Sequence, residues 1–543
     1  MVPSKLLLMS FAVWAAATPA KGQPMPGENL GAVHFSVSCT RVQEKFDRAV
    51  SLLHNFFYPE TVKAFQSIIA DDPDCAIAYW GLAMSERPNP LVPPFPVANL
   101  KAGWDAVQQG RQARTRTPRE AEYLATMAKF YGDYDNIDQH TRTLRYEEAM
   151  ERLHAHYPDD PEAAIFYALA LNEAIDPNDH TFARQRKAGT ILQAEARRQP
   201  NHPGISHYLI HSYDFTPLAQ KGLPSARLYD EIAAASPHAL HMPSHTYSML
   251  GMWQESIRAN RAAEAAANSY AAMNFPDSTD PSLPHLLDFL EFAYLQLAKD
   301  HDARLIVEQL PGLKKFASVR LTVDTALAAI PARFAIERGR WDEAANLNVR
   351  DSQFPAAQSI SYFARALGAA RYGHPSAARS DIAHLKEIEG KLIAAKEDYW
   401  AGQTRIQIEA AEAWVLFDEG RSDQAIRLMR KAADLDDASQ KNVAMENKLV
   451  SVRALLGELC VRAGRPHAAL TELEASLKAS PNRFRSFAVA AVAARRTKSV
   501  ALARRYSKSL VRLAGAGDGE RAEIATARDF LSQDKAKTVI PEP

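Results

Sequence analysis

Cysteine is scarce in this sequence. Only Cys39, Cys75 and Cys460 occur in 543 residues, and no CxxC spacing is found, so thiolate metal sites gain no support. An excess of either charge is missing as well: 64 Lys and Arg balance 64 Asp and Glu, for a formal net charge of +0. The chain lacks the basic surplus on which nucleic-acid binding rests, and no nucleic-acid partner is expected. Beyond residue 20 no apolar run approaches the ~18 residues of a membrane-spanning helix, so no span is expected in the mature chain. There is no Gly-rich phosphate loop, no GxSxG elbow and no other nucleophile motif. Alternation of apolar and polar residues, the mark of half-buried strands, is absent too. What is present is the composition of a folded chain, 47% hydrophobic and 24% charged, which argues against wholesale disorder.

The first twenty residues, MVPSKLLLMSFAVWAAATPA, place Lys5 ahead of a largely apolar stretch over 6–17 and small residues at 18–20. This is the layout of a secretory signal peptide over 1–20. The helix-breaking KGQPMPGEN that follows reads as the start of a linker over 21–38. The expected location is therefore outside the cytoplasm, periplasmic or secreted. In an oxidising compartment Cys39 and Cys75, each at a predicted helix start, can close a disulfide that staples the first repeat. Cys460 lies on the apolar face of ALLGELCVRAG and reads as a buried small hydrophobe.

From about residue 40 to 532 apolar residues recur at three- and four-residue spacing, which predicts helix throughout. Breaks such as DDPD, YPDDPE, RQPNHP, EGRSD, RAGRP and ASPN recur with a period near the mid-thirties. That is the period of helix–turn–helix solenoids, and the tetratricopeptide (TPR) pattern fits best. The unit LGELCVRAGRPHAALTELEASLKASPN shows a Leu-Gly pair, the turn Gly464, the small Ala468, Leu473 and the closing Pro481. The expected architecture is an all-α TPR-like solenoid, a superhelix of antiparallel helix pairs. Its N-terminal part, 39–316, carries a His-rich concave groove; TPR repeats follow over 317–532 and a disordered tail over 533–543. The C-terminal repeats beyond 317 show no convergent polar set and read as extension or docking surface.

Histidine is where the sequence departs from a plain solenoid. Six of 17 His fall between 202 and 245: His202, His207, His211, His238, His241 and His245. In HPGISHYLIHSYD, His207, His211 and Asp214 share one helical face. In HALHMPSHTYSMLGMW, His238, His241 and His245 do the same, although Pro243 kinks or restarts that helix. In PHLLDFLEFAYLQLA, His285 and Asp288 lie three apart. Three adjacent groove helices thus present imidazole, and two add carboxylate. Such N/O sets suit Zn, Fe, Cu or Ni and not Ca or Mg. The ligand number exceeds one tetrahedral site, so a dinuclear dicopper or di-iron centre fits; three imidazoles per metal suit copper, and carboxylates tilt toward iron or zinc. His202 and His238, each beside a proline, also read as cap-region residues. His54 ends a helix about four repeats upstream, and a superhelix could curl it back. Tyr79 and Trp80 read as packing aromatics; Glu173 and Asp176 read as a solvated helix end.

The segments LLHNFFYPETVKAFQSIIADDPDCAIAYWGLAMS, HPGISHYLIHSYD and HALHMPSHTYSMLGMW together resemble a group of exported bacterial TPR-repeat proteins of uncharacterised activity. The likeness runs from about residue 34 to residue 297. In that group a Cys before the first helix, a His-Asn/Ser-Phe stretch and HxxxH and HMPSH segments recur together. Here they correspond to Cys39, Cys75, His54, His207, His211, His241 and His245. The resemblance implies an α-solenoid and export, and brings no activity with it.

The residues themselves predict a metalloprotein holding Cu, Fe or Zn through His207, His211, Asp214, His241, His245 and His285, with His54, His238 and Asp288 as further candidates. As an enzyme it would be an oxidoreductase rather than a zinc hydrolase, acting on a small-molecule substrate. The alternatives are a TPR groove that binds a peptide or protein partner without catalysis, and a metal chaperone.

Overall fold

The computed structural model describes residues 29–538, apart from positions 115, 178, 275, 314, 317–319, 443–446, 516, 519 and 520 and the side chains of 534–538. The expected signal peptide 1–20 lies outside the described residues. Within them the chain is all-α, helix following helix from Gln43–His54 to Ala522–Thr538, with a single isolated bridge between Thr279 and Phe316 and no strand. Consecutive helices pack as antiparallel pairs, giving a TPR-like α-solenoid.

Local chemistry accounts for the helix starts. Proline opens Pro118–Tyr131, Pro161–Glu173 and Pro355–Arg371, at a position where its missing N–H has no intrahelical partner to lose. Thr117 and Glu120 complete a capping box on the first of these, satisfying two otherwise orphaned amides. Pairing depends on small residues at the crossings. In the pair Val452–Arg462 and Pro466–Ala479, a Cβ on Gly457 would lie 2.6 Å from Leu473 Cγ, so only glycine permits that approach.

The apolar interior falls into two large clusters. One spans Phe35 to Leu218 and contains Phe46, Trp80 and Tyr123; the other spans Ala328 to Tyr506 and contains Trp414 and the free, buried Cys460. A smaller cluster joins Leu287 and Leu290 to Ile330 and Phe334, so packing is continuous across the expected boundary at 317. Trp80 is fully buried among Phe35, Tyr123 and Phe166, in keeping with a packing role.

Four features differ from the sequence pattern. Residues 29–38 are not a free linker: Leu30, Phe35 and Val37 are buried, and the Phe35 ring sits 5.0–5.3 Å from those of Phe46, Trp80 and Tyr123. The last helix continues to Thr538, beyond the expected tail start at 533. Glu173 is not solvated; it is buried against Arg87 at 2.7 Å, because the end of its helix is covered by the earlier repeats. Finally, the repeats do not contact only their neighbours. Trp253 Nε1 donates to the Asn482 carbonyl at 2.8 Å, the Phe484 amide donates to Gln296 Oε1 at 3.0 Å, and Arg521 pairs with buried Asp300 at 2.6 Å. The C-terminal repeats therefore close onto the middle of the chain.

Cys39 and Cys75 are joined in a disulfide with their Cα atoms 5.6 Å apart, stapling the first repeat across 36 residues. A crosslink over a loop of this size contributes about 2–4 kcal/mol by restricting the unfolded chain. The Cys39→Ser/Cys75→Ser variant is expected to lose that amount in chemical denaturation; an unchanged midpoint and slope would show that the staple adds nothing.

Candidate metal centre

The histidines arrive on short, unusually buried helices. Pro203–Ser212 buries all ten of its residues. The HALHMPSH segment is broken as Pro243 demands, into Pro237–His241 and Pro243–Met249 with Met242 between them. The break turns His238 toward His207 and His211 and leaves His241 and His245 with His285. Leu283–Gln296 supplies His285 from its first turn.

The outcome is two triads. The ligand-capable atoms of His207, His211 and His238 all lie within 4.8 Å of one another, as do those of His241, His245 and His285. His207 Nε2 is 3.1 Å from the Nε2 atoms of both His211 and His238, and the Nε2 atoms of His241 and His245 are 3.0 Å apart. Nitrogens each about 2.0–2.1 Å from a shared ion come to lie about 3.0–3.4 Å apart, so these separations match ligand pairs. His207, His211, His241 and His245 are buried; His238 and His285 are half-buried and face the adjoining cavity.

Outer partners set the tautomers, assigned here from the hydrogen-bond network. His207 Nδ1 donates to the His54 carbonyl at 2.6 Å, His245 Nδ1 to Asp214 Oδ2 at 2.9 Å, and His241 Nδ1 to Asn260 Oδ1 at 2.6 Å. Asn260 is oriented by its own Nδ2, which donates to the Ser256 carbonyl at 2.8 Å. His241 and His245 turn their Nε2 atoms toward each other. Burial, and then the neighbouring imidazoles, push His207, His211, His238 and His241 well below the usual histidine range, and His285 down to about 3. These five rings are neutral. This carboxylate or carbonyl backing of a histidine is the arrangement that orients metal ligands.

The other expected residues stand around the triads. Asp214 is an outer partner: Oδ2 accepts from His245 and Oδ1 pairs with Lys441 Nζ at 2.5 Å. Burial raises its carboxyl, but Lys441 and His245 outweigh this and hold it well below the ordinary range. Asp288 faces away from the histidines, bound to Arg333 at 2.7 Å and to Asn447 at 3.1 Å. His54 does curl back, contributing its backbone carbonyl rather than its ring. That ring donates through Nε2 to Glu162 Oε2 and accepts from the Tyr208 hydroxyl at Nδ1, both at 2.9 Å. His202 donates to Glu162 Oε1 at 2.9 Å. Burial raises the Glu162 carboxyl, but His202 and His54 more than offset it and keep it ionised. In this third cluster each close pair has an N–H between its members, so no cation is needed there.

Sequence reasoning missed Lys441, Asn260, Glu162 and Phe56. Lys441 is more than two hundred residues from Asp214 in sequence, and no local pattern marks it. Phe56 has φ +52, a left-handed conformation rare for an aromatic residue. Its ring lies 4.4 Å from that of His207 and 5.5 Å, stacked, from that of His238.

No protein-family model matches the chain, and no curated protein matches its sequence. Among solved structures, Naa15/Naa10 bound to HypK-THB is 14% identical, with 92% of this chain and 82% of that one covered and a TM-score of 0.22. The human IFIT1 dimer with PPP-AAAA is 12% identical, covering 86% and 89% with a TM-score of 0.34. The APC/C hetero-tetramer Cut9-Hcn1 is 10% identical, covering 92% and 96% with a TM-score of 0.29. Similarity at this level bears on neither the site nor a partner.

One glycine sets the distance between the first repeat and the triads. A Cβ on Gly204 would lie 2.4 Å from His54 Nδ1. Gly204→Ala is expected to cost about 1–3 kcal/mol through overpacking of a buried contact. A melting temperature equal to that of the parent protein would refute the fit.

Proposed function

We propose that this chain is an exported metalloprotein whose two histidine triads each hold a transition-metal ion. The observation that carries the reading is the pair of triads, in each of which the ligand-capable atoms all lie within 4.8 Å of one another. In the second triad the Nε2 atoms of His241 and His245 are 3.0 Å apart, while their Nδ1 atoms face Asn260 and Asp214. Among the described residues the donors of both triads are imidazoles, while Asp214 and Asp288 are engaged by Lys441 and Arg333. Copper and zinc suit such a set better than iron does. A metal-dependent oxidoreductase is the activity this supports ahead of a hydrolase. Export rests on the N-terminal pattern and agrees with the Cys39–Cys75 disulfide.

A second reading, a scaffold that holds a peptide or protein, is favoured by a separate observation. A cavity of about 430 Å³ lies between the two halves of the chain, where Phe215, Trp253 and Phe289 stand beside Lys448 and Arg483. Aromatic surface of this kind suits a peptide carrying apolar groups, since Lys448 is paired with Asp436 and Arg483 with Glu337.

Elemental mass spectrometry on protein exported to the periplasm and purified without a tag tests the first reading. Near-stoichiometric copper, zinc or iron is expected, falling sharply in the His241→Ala/His245→Ala variant. Stripping the metal is expected to lower the melting temperature, since a ligand bound only by the folded state stabilises it by mass action. No metal in either protein after reloading, with a partner still retained, would establish the scaffold instead.

A further inference from the structure

Charge balances over the whole chain, 64 basic against 64 acidic residues, but it is not evenly spread. Residues 475–517 hold ten Lys and Arg and no Asp or Glu. The surplus is local, and the fold divides it into an inner and an outer part.

Two of the ten are used inside. At the start of the helix Phe484–Arg496, Arg483 pairs with Glu337, and Arg485 pairs with Glu458 at 2.6 Å. The next helix, Val500–Leu513, buries one face, with Ala503, Tyr506, Ser507 and Leu510 turned in. On the other face Val500, Arg504, Lys508 and Arg512 follow at intervals of four and line up along the helix. Val500, Lys508 and Arg512 are exposed, and so is Lys498 just ahead of them. Arg505, beside the row, meets Glu474 at 2.9 Å, but both side chains are more than half exposed, where such a pair contributes little. Among the described residues no carboxylate pairs with Lys498, Lys508 or Arg512. Like charges four apart on a helix repel, so Lys508 and Arg512 favour an anion brought to this face from outside.

The outward face of a helix has no walls to grip a peptide or a small ion, and its partner is itself a surface. Val500 is 53% exposed at the head of the cationic row, and Val511 stands half-buried beside Arg512. Valine among exposed Lys and Arg is the pattern of helices that lie in the interface of a bilayer. The apolar groups enter the acyl boundary, and the long basic stems reach the headgroup phosphates. The one aromatic residue of the helix, Tyr506, is buried, so no ring is offered to stack on the bases of a nucleic acid. No described helix is long and apolar enough to cross a membrane, and the contact is therefore peripheral.

We infer that the outward face of Val500–Leu513, together with Lys498, docks this chain onto a bilayer rich in anionic phospholipid. The inference stands apart from metal binding and shares no residue with the triads.

The test sediments the full chain with vesicles containing phosphatidylglycerol, or with vesicles of phosphatidylcholine alone. Binding to the anionic vesicles is expected at low salt and is expected to fall as salt rises; the neutral vesicles are expected to leave the protein in solution. Lys508→Gln/Arg512→Gln is expected to weaken binding about thirtyfold, the effect of two basic residues beside a charged membrane surface. Lys129→Gln/Lys391→Gln removes the same charge from exposed positions elsewhere and is expected to bind as the parent does. Melting temperatures equal to the parent's show that both variants fold, and the parent's own preference between the two vesicles decides the case without them. No binding to either vesicle, equal binding to both, or equal loss in the two variants would overturn the inference. Retention on polyglutamate or duplex DNA without vesicle binding would overturn it too, in favour of an acidic protein or a nucleic acid.

Discussion

Six imidazoles share one desolvated space, and the Nδ1 atoms of three are turned outward to fixed partners. That constraint organises the structure around it. The His54 carbonyl, Asn260 and Asp214 take the Nδ1 protons of His207, His241 and His245. Each acceptor is itself fixed: Asn260 by Ser256, Asp214 by Lys441, and the His54 turn by its ring contacts to Glu162 and Tyr208. Asn55 adds a tie by donating to the Leu30 carbonyl at 2.9 Å and accepting from the Tyr229 hydroxyl at 2.8 Å. An imidazole with a committed Nδ1 is held in one orientation, with Nε2 pointing in a single direction.

A repeat array is well suited to supply such a shell. Short helices opened by proline are cheap to orient, because their first amides lack intrahelical partners in any case. Neighbouring repeats then bring Pro203–Ser212, Pro237–His241, Pro243–Met249 and Leu283–Gln296 to a common space. The C-terminal repeats add what a local array lacks. Their connecting segment carries Lys441 to Asp214 and Asn447 to Asp288, while Arg333 holds Asp288 and Glu291. Burial pushes Glu291 up to about 8 even with Arg333 beside it. These acidic groups are answered by cations from the other half of the chain, so the two halves depend on each other electrostatically as well as sterically.

Much of the architecture was legible because its signals are local. Helical periodicity, the recurring turns and the Leu-Gly pair at Gly457 are properties of stretches shorter than forty residues. The grouping of the histidines was legible for the same reason: spacings of three and four place His207 with His211 and His241 with His245. The role of Asp288 was not, since its distance of three residues from His285 gives no hint that Arg333 and Asn447 draw it the other way. Glu173 was misread as a solvated helix end because burial by Arg87 depends on a residue from another repeat.

The sequence by itself determined helix, repeat, the candidate disulfide and which side chains could meet on each helical face, since all of these follow from neighbours along the chain. Tertiary structure decided which face met which. It sorted six histidines into two triads, made His54 an outer partner through its carbonyl, brought Lys441 to Asp214 and closed the last repeats onto the middle ones. Those outcomes depend on the rotation and translation between helices far apart in sequence. They are fixed by the packing of many side chains at once, and no local pattern encodes them.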